Sequence, residues 1–185
     1  KEAQFQRVAE SLNQKHLHAV RYPGETIEAA VMLLIAPGPT LAQSHIVLTV
    51  RPAHLKTHGG QICCPGGRVE TSDIDFQTTA LRETHEELGV APEFIRMIGN
   101  IGQTQTTSGF TMHHFLGLLE PGYTIEASPD EVAEVIYLPL DQALTPGRYL
   151  QETLTVNIQS KSFAVNSYSI ALNNQRIWGA TGRTL

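Results

Sequence analysis

Basic residues are in short supply. Lys and Arg number 13 against 18 Asp and Glu, a net charge of −5 at pH 7. That balance excludes a general nucleic-acid binder and a protein of anionic membrane surfaces, because both need a basic face. A polyphosphate stays open as a ligand, provided that local cations or bound metal offset its charge. Cysteine is scarcer still. The only two, Cys63 and Cys64, are neighbours, so they cannot readily staple distant segments, and no C-x-x-C or His/Cys ligand spacing is present. They read as small buried or half-buried thiols in a strand, in keeping with a reducing cytosol. Long hydrophobic runs are missing as well. The longest, Ala29 to Ala36, is too short to span a bilayer, and the charged opening KEAQFQRVAE lacks the apolar core of a secretory signal. We therefore expect a cytoplasmic protein with neither membrane nor nucleic-acid partner. There is no repeat, low-complexity tract or linker. The first residue is Lys rather than Met, so part of the native start is expected to be missing.

What is there describes one globular domain over residues 1–185, with 41% hydrophobic and 17% charged residues. Residues 1–27 read as an N-terminal helix and connector, with Phe5, Val8 and Leu12 at helical spacing and His16, His18 and Arg21 solvated. Glu28 to Ala36 and Ser44 to Val50 are apolar strands either side of Pro37-Gly38-Pro39, a hairpin. A loop carrying Arg51, Lys56 and His58 follows. A short strand, Gln61 to Cys64, then enters the turn Pro65-Gly66-Gly67. After a central helix come strands near 96–106, 110–119 and 130–138, a helical turn at 140–144, a hairpin of 152–158 with 163–171, and a helix start at Ala180-Thr181. Strands, one helix, more strands and a closing helix make an α+β chain.

The central helix carries the chemistry. Ser72 is its expected N-cap, with Asp73 and Asp75 in the first turn, where the helix dipole favours anions. Gly89 stops it. On a helical wheel Ile74, Leu81 and Leu88 form a narrow apolar seam, and Glu83, Glu86 and Glu87 gather within about 100° of one another on the opposite side. A solvated acidic face is the plain alternative. Like charges at this spacing, in the last two turns, cost roughly 0.3–1 kcal/mol per unfavourable contact, which Arg82 relieves in part. A hard divalent cation would relieve the rest, since it takes several oxygen ligands on one side. Gly66 and Gly67 permit backbone shapes closed to other residues and let a ligand approach the main chain.

Together these residues resemble the Nudix hydrolase box, G-x5-E-x7-R-E-U-x-E-E-x-G-U, where U is a bulky aliphatic. Here it reads Gly67-x5-Asp73-x8-Arg82-Glu83-Thr84-His85-Glu86-Glu87-Leu88-Gly89-Val90. Asp replaces the first Glu, one extra residue precedes Arg82, and Thr84 stands in an aliphatic position. Upstream, Leu48-Thr49-Val50-Arg51-Pro52, Leu55-Lys56-Thr57-His58-Gly59-Gly60-Gln61 and Cys64-Pro65-Gly66-Gly67 look like the motif of the coenzyme A pyrophosphatase branch. Ile177-Trp178-Gly179-Ala180-Thr181 is similar to that branch too. Pro52, Lys56 and Cys64 depart from it, standing where Ser, Arg and Phe are usual.

The resemblance implies a Nudix fold, a mixed β-sheet sandwiched between helices. It implies a pyrophosphohydrolase that splits coenzyme A or its derivatives into 4′-phosphopantetheine and adenosine 3′,5′-bisphosphate. Glu83, Glu86 and Glu87 would ligate Mg²⁺ or Mn²⁺, and Arg82 would orient them. The general base would be a glutamate of the helix or of a later loop, with Glu131 the candidate for the loop role and Glu134 its competitor. Arg51, Lys56, His58, Gly66 and Gly67 would contact the substrate. NADH, ADP-ribose or a nucleotide sugar is the alternative substrate, and a non-catalytic nucleotide-binding module the third reading. The partner expected is a small-molecule nucleoside diphosphate, with a homodimer as the candidate assembly.

Overall fold

The computed structural model describes residues 24–55, 57–145, 147–158, 161–172 and 175–185. The run Ile27–Ala36 is apolar on alternate sides alike, so it forms β1 at the centre of a sheet with both faces buried. Antiparallel to β1 lie β2 (His45–Val50) and the short β4 (Gly66–Arg68). On its other side β6 (Phe110–Leu119) runs parallel, from Ile27 opposite Phe110 to Ile35 opposite Leu118. The order is β3-β2-β1-β6-β5, where β3 is Ile62–Cys63 and β5 is Ile95–Gln105. A further strand, β7 (Glu134–Pro139), pairs with β2. One parallel pair among antiparallel ones makes the sheet mixed. A second, antiparallel sheet has the order β10-β9-β8, from β8 (Tyr149–Ile158), β9 (Lys161–Leu172) and β10 (Gln175–Ile177). Among the described residues the α-helices are α1 (Phe76–Leu88), α2 (Leu140–Ala143) and α3 (Gly179–Thr184). The architecture is the expected α+β fold.

Strand periodicity divides the core. Ala30, Met32 and Leu34 face α1 and pack with its Ala80 and Leu88. Val31, Leu33 and Ile35 face the other way, toward Leu140 and Ala143 of α2, Ile177 of β10 and Leu185. The mixed sheet therefore has helices on both sides. Among the described residues no helix is long and apolar enough to cross a membrane.

A buried histidine locks the C-terminal end to the sheet. His114 of β6 is wholly buried, and its Nε2 and Nδ1 lie 2.8 Å from Thr104 Oγ1 and 3.0 Å from Thr184 Oγ1. Thr184 already donates its hydroxyl to Ala180 O, so it accepts from His114 Nδ1–H, and Nε2 accepts from Thr104. Burial holds the ring's pKa down to about 3.

The predicted helix of residues 2–14 and the predicted substrate contact Lys56 lie outside the described residues. Other expectations need correction. β1 begins at Ile27, within the expected connector. The Gly66-Gly67 turn is a strand, β4, paired through Val31↔Gly66 and Ala30↔Gly67. The strand expected from Asp130 starts at Glu134, because the Glu131 and Val132 amides turn back to the Ser128 carbonyl. The helix opens at Phe76, not after Ser72. Asp75 is the N-cap, its carboxylate accepting from Thr78 N at 2.7 Å, and Asp73 and Asp75 precede the first turn. Ile74, left outside the helix, is 88% exposed and joins no seam. The buried stripe is Ala80, Thr84 and Leu88. It brings Glu87 inward with it, at 3% exposure, so the three glutamates do not all face away from the core.

Candidate active site

The site is built on the second half of α1, which Gly89 ends in a left-handed conformation at φ 69°. Arg82 is its hub. Its Nε and Nη2 donate to the two oxygens of Asp73, both at 3.0 Å. Its Nη1 donates to Glu83 Oε1 and Glu86 Oε2, both at 2.9 Å, and Nη2 also reaches the Arg68 carbonyl. The Asp73 carboxylate accepts further bonds from Glu70 N and Thr79 Oγ1. The Arg82 guanidinium, with those bonds, holds the Asp73 carboxyl well below the usual carboxylate range. Asp73 thus reaches Arg82 despite the extra residue before the arginine.

The glutamates occupy graded surroundings. The Glu86 side chain is about half exposed, at 47%, and that of Glu83 is 16% exposed. Burial raises the proton affinity of Glu83, against the opposing pull of Arg82. Glu87 is the most perturbed. Burial pushes its carboxyl up to about 8, with Glu83 and Glu131 adding to the effect and Arg51 and the Gly66 N–H opposing it. Arg51 Nη1 stands 4.0 Å from Glu87 Oε1, which leaves much of that carboxylate's charge uncompensated.

The two glycines explain themselves. At Gly66 φ is +153°, and a Cβ would fall 2.4 Å from the Ala30 carbonyl. At Gly67 a Cβ would fall 2.4 Å from the Glu83 carboxyl. A side chain there would occupy the space that Glu83 uses.

Of the other expected residues, Arg51 joins the cluster. His58 does not: it is exposed, has φ 59°, and bonds Gln61 through Nδ1 at 3.0 Å. Glu131 lies in the turn before β7, and its charge acts on both Glu83 and Glu87. The loop that carries it is tied to the end of α1 by Glu126 N to Leu88 O and Ser128 N to Glu87 O. Glu134 begins β7 opposite Val50 and figures in neither glutamate's electrostatics.

Thr49 and Cys63, which no sequence motif marks as site residues, also reach Glu87 or its neighbours. The buried Thr49 points its hydroxyl at Glu87 Oε2, 3.5 Å away, and Cys63 Sγ is 3.3 Å from the same hydroxyl. A usable signal is the strand period, which, carried one residue past the end of β2, puts Arg51 on the same side as Thr49. Both cysteines are free thiols, and burial raises their pKa values, that of Cys63 to about 11. Neither is poised as a nucleophile.

Hard oxygen donors, one of them a buried carboxylate short of compensating charge, fit a divalent cation. Among the described residues they do not close into a ready-made cage, since Arg82 holds Glu83 and Glu86.

The NUDIX domain family matches residues 26–156. Two curated relatives, both described as an uncharacterized Nudix hydrolase NudL, are 37% identical. The one from Citrobacter koseri aligns over 68% of this chain and 66% of its own length, and the one from Salmonella paratyphi B over 66% and 62%. The chain thus spans just under two thirds of those relatives. Among solved structures, a C. elegans Ap4A hydrolase binary complex superposes with a TM-score of 0.52 at 18% identity, covering 63% of this chain and 83% of that one. The NUDIX domain of Shewanella oneidensis NrtR, complexed with ADP ribose, gives 0.50 at 19% identity, covering 73% and 86%. These likenesses show a shared fold.

Proposed function

This chain belongs to the NUDIX domain family, and on that premise we propose that it is a divalent-metal-dependent pyrophosphohydrolase. Its proposed substrate is coenzyme A or a derivative, cut to 4′-phosphopantetheine and adenosine 3′,5′-bisphosphate. The observation that carries the hydrolase reading is the convergence on Glu87. A buried carboxylate with raised proton affinity faces Arg51, Thr49, Glu83 and Glu131 beside a glycine-lined backbone. A buried carboxyl whose proton affinity is raised by burial and by neighbouring carboxylates is a mark of functional sites. The coenzyme A assignment rests on the segment from Leu48 to Gly67 and on Ile177 to Thr181.

Bound Mg²⁺ or Mn²⁺ would neutralise diphosphate charge and sharpen a water into a nucleophile. Glu83, Glu86 and Glu87 would hold it. Asp73 fixes the plane of Arg82, and Arg82 fixes the carboxyls of Glu83 and Glu86. Glu131, whose charge acts on Glu83 and Glu87, takes the proton from the attacking water. Arg51 meets the diphosphate with a planar fork of donors, while Gly66 and Gly67 keep the nearby main chain free of side chains. The free thiols of Cys63 and Cys64 support a cytoplasmic setting.

A second reading is favoured by the NrtR domain, whose structure holds ADP ribose: the same centre would then cut ADP-ribose, NADH or a nucleotide sugar. A panel of coenzyme A, NADH and ADP-ribose, each with Mg²⁺ and with Mn²⁺ and with products resolved by chromatography, separates the two. Fastest turnover of coenzyme A is expected. Turnover of ADP-ribose with coenzyme A untouched would replace the first reading by the second. Nucleotide binding without any hydrolysis would reduce the domain to a binding module.

A further inference from the structure

Strand β8 is the outer member of the β10-β9-β8 sheet, and among the described residues no strand pairs with its free edge. Sheets protect such edges with Lys, Pro, a bulge or brevity. This edge uses none of them. Its sequence YLQETLTVNI has neither Lys nor Pro and is 10 residues long. Its pairing with β9 runs without a register shift from Tyr149↔Ile170 to Ile158↔Lys161. On one face Leu150 and Leu154 stand 59% and 46% exposed. The single charge, Glu152, is held by Arg176 of β10. On a chain of net charge −5, this is a stretch where a second copy would meet little repulsion.

We infer that two copies of the chain pair along β8, antiparallel about a two-fold axis at Leu154, so that two three-stranded sheets become one of six strands. Charge and shape choose the register. A centre on Glu152 would set two carboxylates directly opposite each other, which is unfavourable. A centre on Leu154 sets leucine against leucine, Val156 against Glu152 and Thr155 against Thr153. A two-fold contact of this kind uses the same edge on both copies and so closes on itself. One strand per copy makes a small interface, below about 1,200 Å², so the dimer forms and dissociates with concentration. The contact involves none of the residues around Glu87, so it stands or falls separately from the activity.

Sedimentation velocity of the full chain over a concentration series tests it. The wild type should move from monomer to dimer, and Leu154→Lys should remain monomeric throughout with an unchanged circular dichroism spectrum. Leu154→Cys should give a disulfide-linked dimer on mild oxidation, because directly opposed antiparallel residues have Cα atoms about 4.5–5.5 Å apart, within disulfide reach. The wild type, whose two cysteines are buried or half-buried, should give none. A monomeric wild type at every concentration, a dimer that survives Leu154→Lys, or a Leu154→Cys variant that does not cross-link each overturns the inference.

Discussion

Asp73 and Arg82 meet in a two-point ion pair, Nε to Oδ1 and Nη2 to Oδ2, with both distances 3.0 Å and the carboxylate only 2% exposed. The pair aims the remaining nitrogen of Arg82 at Glu83 and Glu86. Asp73→Asn keeps the shape and removes the charge. We predict a fall in kcat/KM of about 10–100-fold, as for groups that orient a metal's ligands. Stability should drop by about 1–3 kcal/mol, as when a buried partner is lost. Steady-state kinetics and urea unfolding measure the two, and unchanged kinetics would show the anchor to be dispensable.

Gly67→Ala tests the space beside Glu83. The new methyl would meet the end of a flexible side chain rather than backbone, so the fold should survive while Glu83 moves. A displacement on the ångström scale in a catalytic group costs about 100-fold. Activity should fall by that order with the unfolding midpoint nearly unchanged. Full activity would mean that Glu83 has no fixed place in the reaction.

Glu131 and Glu134 can be told apart by substitution. General-base catalysis contributes about 10²–10⁴-fold, so Glu131→Gln should lower kcat by that order and flatten the acid limb of its pH profile. Glu134→Gln, at the start of β7 and away from the cluster, should leave kcat near normal. The reverse pattern would transfer the role.

His114 predicts a pH dependence of stability. Its pKa is held down to about 3 in the fold, against an ordinary 6.5. Between those values the unfolded chain binds a proton that the native chain refuses, so the unfolded state is favoured as pH falls. The stabilisation is complete above pH 6.5 and is lost progressively down to about pH 3. His114→Leu should weaken that slope. At neutral pH it should also cost about 1–3 kcal/mol by leaving the Thr104 and Thr184 hydroxyls without their ring partner. Urea unfolding at pH 7 and pH 4.5 compares the two proteins.

The particular residues show what a sequence can reveal here. β1 was legible because a strand buried on both faces reads as an unbroken apolar run, and the end of α1 because Gly89 can take a left-handed turn. The start of α1 was not legible. Ser72, Asp73 and Asp75 are all competent caps, and only the Arg82 contact, made across the loop, assigns Asp73 to the guanidinium and leaves Asp75 to cap. That offset moved Ile74 off the helix, and the stripe that α1 buries then runs through Ala80, Thr84 and Leu88, which carries Glu87 toward the core. The approach of Thr49 to Glu87 depends on β2 lying beside the end of α1, which no local pattern specifies.

The most direct test of the whole account is the hydrolysis of coenzyme A against Mg²⁺ concentration, in wild type, Glu86→Gln and Glu87→Gln, with thermal unfolding followed in the same solutions. A metal held at this site at a hundred times its dissociation constant stabilises the fold by about 2.7 kcal/mol. The wild type should gain turnover and stability together as Mg²⁺ rises, and both variants should stay folded while losing most of each gain. Near-normal, Mg²⁺-dependent hydrolysis in both variants would place the metal and the chemistry elsewhere.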